Sequence, residues 1–213
     1  MARGTLQFIT LPEATPASGY PAPDFPNGDN AGDSFAVLEP SGNVLVFGDS
    51  GAMYEWSGTT FTQVKDASAV GSPILLPTGQ VMMTAAAVVV LYTPKGAPDP
   101  SWAPAIASYP KHIAAGKTYK ISGTQFNGLS QAMSYGDELQ NATNYPLVRI
   151  TSADGHVDYA RTHDHSTMGV ATGSKAVWTY FDVPKTIAKG NARLEVIANG
   201  IASKPVTVTI SSK

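Results

Sequence analysis

Cysteine is absent from this 213-residue chain. That removes disulfides, thiolate metal sites and thiol nucleophiles together, so the fold must hold by packing alone. Charge is also sparse: charged residues make up 14% of the chain, with 14 Lys and Arg against 16 Asp and Glu. No positive field exists to gather phosphate backbones, and nucleic acid is not an expected partner. The longest apolar run, residues 85–91, is too short to cross a bilayer. The first ten residues lack the basic start and apolar stretch of a secretory signal, so neither a membrane partner nor a signal peptide is expected. Esterase and nucleotide chemistry lack support as well, because no G-x-S-x-G elbow, P-loop or helix-opening G-x-G-x-x-G occurs.

What the chain does contain is turn chemistry and β-formers. Gly (20) and Pro (16) are plentiful and the apolar residues lean towards Val and Ile, which suits many short strands joined by tight turns. The expected class is all-β. Residues 1–32 are dense in Pro, Gly, Asp and Asn and read as an extended segment. An internal repeat follows: Leu38, Pro40, Ser41, Gly42, Asn43, Val44 recurs as Leu75, Pro77, Thr78, Gly79, Gln80, Val81, thirty-seven residues on. In each copy Pro presets φ and Gly supplies a positive φ, so each reads as strand, turn, strand. Each copy then runs on into an apolar strand that ends in Tyr54-Glu55-Trp56 or Leu91-Tyr92-Thr93. Residues 33–98 therefore read as two propeller-like blades, with two unrelated hairpins as the alternative.

Two blades cannot close a ring, and their flanks would expose strand edges and apolar faces. Cover must come from propeller segments missing from this chain or from further copies of it. The second option predicts a homo-oligomer, with a trimer the simplest route to a ring of about six blades.

The stretch 93–105 holds four prolines in thirteen residues and reads as a stiff linker. Beyond it, alternating runs at 106–109, 118–122, 147–151, 157–162, 177–183, 193–198 and 206–210 indicate a β-sandwich spanning residues 99–213. The three tryptophans, Trp56, Trp102 and Trp178, are expected to close cores or the junction between domains.

The paired Leu-x-Pro-Ser/Thr-Gly-Asn/Gln-Val turns stand beside a second signature: Tyr109-Pro110, Gly116-Lys117-Thr118-Tyr119 and the run Ser122-Gly123-Thr124-Gln125-Phe126-Asn127-Gly128-Leu129-Ser130. Together they make the chain resemble the C-terminal end of galactose-oxidase-like, kelch-type β-propeller proteins. There the last blades precede an early-set, immunoglobulin-like domain. Arg161-Thr162-His163-Asp164-His165-Ser166-Thr167-Met168-Gly169 is similar to the sandwich segment that reaches back towards the propeller in bacterial members. The resemblance implies a secreted or periplasmic protein and makes His163 the match to a copper-ligating histidine. Copper-radical oxidation also needs a cysteine cross-linked to tyrosine, so the absence of Cys argues against that activity here.

Candidate chemistry gathers in two places. His163 and His165 at i and i+2 would share a face if on a strand, and could chelate a divalent metal ion with Asp137, Glu138 or Asp164 as third ligand. Alternatively, the His-Asp-His run is a hydrogen-bonded knot. Residues 134–146 read as one loop carrying Tyr135, Asp137, Glu138, Asn141, Asn144 and Tyr145. Aromatics beside amides and carboxylates suit a carbohydrate ligand, although the same composition describes an ordinary long loop. Arg149 and Arg161 either orient a substrate or pair with carboxylates on neighbouring strands. Three functions follow. The first is a carbohydrate-associated binding or accessory module. The second is a glycoside hydrolase using Asp137, Glu138 and Asp164 at an interface, and the third a purely structural assembly domain.

Overall fold

The computed structural model describes residues 23–30, 34–68, 71–85, 87–130, 132–135, 139–142 and 146–211. It is all-β, with two short 3-10 turns as its helical elements among the described residues. The chain divides into two compact units, Met1–Ala97 with Ala132–Asn141, and Pro98–Gln131 with Ala142–Lys213.

In the first unit, β1 (Phe35–Leu38), β2 (Val44–Phe47), β3 (Ala52–Trp56) and β4 (Phe61–Ser68) form an antiparallel meander. A separate three-stranded sheet follows, from β5 (Ile74–Leu75), β6 (Val81–Ala85) and β7 (Val88–Tyr92). The repeated turns close with the same bonds. Glu39 N–H donates to Asn43 O at 2.8 Å and Gly42 N–H to Glu39 O at 3.0 Å, while Leu76 N–H donates to Gln80 O at 2.7 Å and Gly79 N–H to Leu76 O at 2.9 Å. Gly42 and Gly79 hold φ of 92° and 82°, which side chains resist.

Alternation decides what each face meets. On the meander, Val37, Leu45, Phe47 and Met53 point one way and pack with Leu75, Val81 and Met83 of the three-stranded sheet. Val46, Tyr54 and Trp56 point the other way, under Phe25. Full burial of such side chains is worth roughly 1.5–3 kcal/mol each. The segment bearing Phe25 is pinned. Phe25 stacks on Phe61 at 4.6 Å, and Asp29 accepts from Ser50 Oγ at 2.6 Å, Tyr54 Oη at 3.0 Å and the Asn30 amide at 2.9 Å. Residues 1–22 and 31–33 of the N-terminal region lie outside the described residues.

The second unit is built from β8 (Ala105–Ser108), β9 (His112–Ala114), β10 (Thr118–Thr124), β13 (Leu147–Ser152), β14 (Val157–His163), β15 (Val177–Asp182), β16 (Gly190–Ala198), β17 (Ile201–Ala202) and β18 (Val206–Ser211). The intervening β11 (Ala132–Tyr135) and β12 (Leu139–Ala142) extend the first unit's meander, β11 pairing antiparallel with β1. All seven alternating runs expected from the sequence are strands. β14 pairs through its first half with β13 and through its second half with β15. One core unites Ile121 and Phe181 from β10 and β15 with Val148, Leu194 and Val208 from β13, β16 and β18. Strands that distant in the pairing order reach a common core only if the sheet folds back over itself. The 122–130 run has a structural job here: Phe126 is fully buried, and a Cβ on Gly123 would lie 1.9 Å from the Ala105 carbonyl.

The single loop expected at 134–146 is corrected by the structure, since Tyr135 ends β11 and Asn141 lies in β12. Their backbones continue the sheet from the edge that β1 leaves open, and an unpaired edge is a strong template for pairing.

Between the two sheets of the first unit lies a buried acid. Glu39 is 1% exposed, its Oε2 accepts from Ser41 Oγ at 3.2 Å, and its Oε1 has no partner. Burial, and then the neighbouring Glu55, push its pKa up to about 7. The folded chain thus holds this proton more tightly than the unfolded one. Stability is complete below the ordinary carboxyl value, falls as pH rises, and levels off above about 7. Glu39→Gln is expected to melt higher than wild type at pH 8, by on the order of 2 kcal/mol of stability, and to converge with it below pH 5. Parallel denaturation curves at both pH values check this.

Candidate functional site

Residues directly opposite on antiparallel strands share a face, and so do residues two apart on one strand. The registers Ser122↔Trp178, Lys120↔Tyr180 and Thr118↔Asp182 join His163↔Tyr180 and Arg161↔Asp182. Arg149↔Tyr159 and Arg149↔Glu195 belong to the other half of the folded sheet, made of β13, β16 and the first half of β14. The side chains on β10, β15 and the second half of β14 form one outer face of the second unit, opposite the core set Ile121, Val177 and Phe181.

The face is aromatic and polar together. Trp178 is 39% exposed. Lys120 Nζ lies 4.3 Å from the Trp178 ring, and the His163 ring stacks on Tyr180 at 6.1 Å. Beside them is a cleft of about 470 Å³ lined by Gly116, Arg161, Asp182, Val183, Pro184 and Lys185. Trp178 therefore closes no core, contrary to expectation. With Val177, Thr179 and Phe181 inside, the two-residue period puts residue 178 outside.

Each charged candidate on these strands is tied to a neighbour. Arg149 Nη2 lies 2.9 Å from Glu195 Oε2. Arg161 Nη1 lies 3.7 Å from Asp182 Oδ2 on an exposed surface, where such a pair is worth at most about 1 kcal/mol. Of the two roles open to these arginines, strand residues paired with carboxylates is the arrangement seen. His163 sits between two acids, with Nδ1 2.8 Å from Asp164 Oδ2 and Nε2 3.1 Å from Asp182 Oδ1. Both bonds hold the imidazolium, that to Asp164 most strongly, and raise its pKa. Asp182 also accepts from Thr118 Oγ1 at 2.6 Å, and this bond, followed by His163, lowers its pKa.

His163 and His165 do not share a strand face. β14 ends at His163, Asp164 turns the chain with φ of 50°, and His165 Nδ1 lies 2.9 Å from Thr179 Oγ1. Burial, then the charge of His163, lowers the pKa of His165. Nor does the pair fit a metal site. Metal binding needs a neutral imidazole with a free nitrogen, whereas both ring nitrogens of His163 face carboxylates that favour its proton. Among the described residues no group of three or more His, Cys, Asp or Glu is placed to hold a metal ion. The hydrogen-bonded knot is the geometry observed.

Of the other candidates, Asp137, Glu138, Asn144 and Tyr145 lie outside the described residues. Tyr135 and Asn141 belong to strands of the first unit, whereas Arg149, Arg161, His163 and Asp164 belong to the second. Sequence reasoning missed Lys120, Tyr180 and Asp182. The signal that could have found them is the alternation of Val-Trp-Thr-Tyr-Phe-Asp in β15.

No family model and no curated protein matches the chain. Among solved structures it is similar to the crystal structure of the Lin-41 filamin domain, at 14% identity and a TM-score of 0.29, over 51% of this chain and 91% of that one.

By proton NMR, His163 is expected to titrate above the ordinary imidazole value and His165 below it. Asp182→Asn should bring the His163 midpoint down and leave that of His165 nearly in place. The linked stabilities have opposite signs. The contribution of His163 is complete below about pH 6.5 and lost as pH rises through its raised midpoint. That of His165 is complete above about pH 6.5 and lost as pH falls through its lowered one.

Proposed function

We propose that this chain is a non-catalytic, carbohydrate-binding accessory module of galactose-oxidase-like, kelch-type descent. Its two propeller-like blades precede an immunoglobulin-like sandwich, and copies of it assemble. Such descent carries with it a secreted or periplasmic setting. The observation that carries the binding reading is the row Trp178, Tyr180, His163 and Arg161 on the outer face of two adjacent strands, β14 and β15. Aromatic rings cover the C–H faces of a sugar, and fixed donors and acceptors beside them meet its hydroxyls. The cleft next to Arg161 and Asp182 extends the row sideways.

Binding is favoured over glycoside hydrolysis by how the described carboxylates are used. Asp164 and Asp182 clamp one imidazole between them, whereas a hydrolase needs one acid protonated and another free to attack or to activate water. Asp182 is held ionised by Thr118 and His163, which suits an acceptor for sugar hydroxyls.

Affinity electrophoresis in gels containing soluble galactan or xylan tests this. The wild type is expected to be retarded in at least one gel. Trp178→Ala should bind roughly tenfold more weakly, the effect of losing about 1–2 kcal/mol of stacking. Unretarded wild type in both gels, or equal retardation of the variant, removes the proposal.

A further inference from the structure

Resting on the blade reading above, we infer that the β5–β7 sheet docks onto the β1–β4 sheet of a second copy, on the face that residues 25–30 now cover. The argument begins inside one chain. By the repeat, Leu38, Val44 and Val46 correspond to Leu75, Val81 and Met83. Leu75, Val81 and Met83 pack against the first blade, whereas Val46 packs under Phe25. Equivalent faces of the two blades therefore point the same way, and the blades stack head to tail. A head-to-tail contact leaves one unmatched face at each end.

The unmatched face of the second blade is open and apolar. The registers Ile74↔Met82 and Met82↔Leu91 put these three side chains on it, with Val89 two residues before Leu91. Ile74 is 41%, Leu91 55% and Val89 66% exposed. Its equivalents on the first blade, Val37 and Leu45, are buried against the second blade. The surface that fits this face already exists in the chain: it is the Val46, Tyr54 and Trp56 face of the first blade, the counterpart of the one packed there now.

Chemistry at the matching positions agrees. Glu55 lies opposite Leu45, and Leu91 opposite Met82, so they are counterparts. Trp56 lies opposite Val44, and Tyr92 opposite Val81, so they are counterparts too. Within the chain, Tyr92 Oη donates to the Glu55 carboxylate. Between copies, the same stacking brings Leu91 to Trp56 of the second copy. A polar pair inside the chain becomes an apolar pair between chains, so both junctions are chemically matched.

Residues 25–30 hold the place of the incoming blade. Their anchor, Asp29, depends on Gly48, where a Cβ would lie 2.1 Å from Asp29 Oδ2. The counterpart of Gly48 in the second blade is Ala85, which has that Cβ. Gly48→Ala should therefore push the segment off without altering either apolar face.

Sedimentation equilibrium on the whole chain tests the inference. Gly48→Ala should lower the dissociation constant for self-association at least tenfold relative to wild type, and Phe25→Ser should act in the same direction. Adding Leu91→Lys to either variant should return the mass to that of one 22.2 kDa chain. Three results overturn the inference: neither variant associates more tightly than wild type, the added Leu91→Lys leaves the association in place, or the wild type forms a dimer that neither plug variant alters. Polysaccharide retardation reads the outer face of the second unit, so failure of the assembly and failure of the binding reading can be told apart.

Discussion

Side chains on a strand alternate, so filling one face of a sheet decides what the other must display. In β15 the core takes Val177, Thr179 and Phe181, and the outer face is left with Trp178, Tyr180 and Asp182. The same constraint on β14 sends Ala160 inward and sets Arg161 and His163 beside them. The candidate binding surface is thus a consequence of core packing. Moving it would require a one-residue slip, which would turn Phe181 out into water.

The same rule separates the two ionisable clusters. On the outer face, Asp182 is half open and gathers Thr118, His163 and Arg161, so its charge is retained. Between the sheets of the first unit, Glu39 is fully enclosed with one oxygen unpartnered, so its charge is suppressed. Two carboxylic acids of similar intrinsic strength are driven apart by their partners and their access to water. A face open to water keeps its charges, whereas a contact between sheets tolerates an acid only when it is largely neutral.

Strand positions were legible because each depends on local pattern and on turns whose chemistry is local: Pro40-Ser41-Gly42 and Pro77-Thr78-Gly79 closed as written. What the pattern alone could not convey was partnership across distance. Residues 134–146 contain turn-forming and polar residues that suit a loop, yet 132–135 and 139–142 became strands because an edge elsewhere in the chain accepted them. Trp178 was misassigned for the opposite reason, size and apolarity being weighed above the alternation of its own strand. His163 and His165 illustrate a third limit. Their spacing implies one face only while the strand continues, and the positive φ at Asp164 stops it.

The divergence between the two repeat copies also has a physical logic. A stack of identical apolar sheets could slide or pair in several registers, because hydrophobic contact is non-directional. Replacing one apolar pair by Glu55 and Tyr92 adds a directional bond at a single point of the contact. Where such a bond is enclosed, a shifted register would leave a carboxylate and a hydroxyl unpartnered, and that penalty exceeds the net gain from making the bond. Glu55 and Tyr92 thus contribute less to the strength of the contact than to its uniqueness. The apolar face carrying Leu91 lacks this device, so a contact made through it would draw its specificity from shape alone.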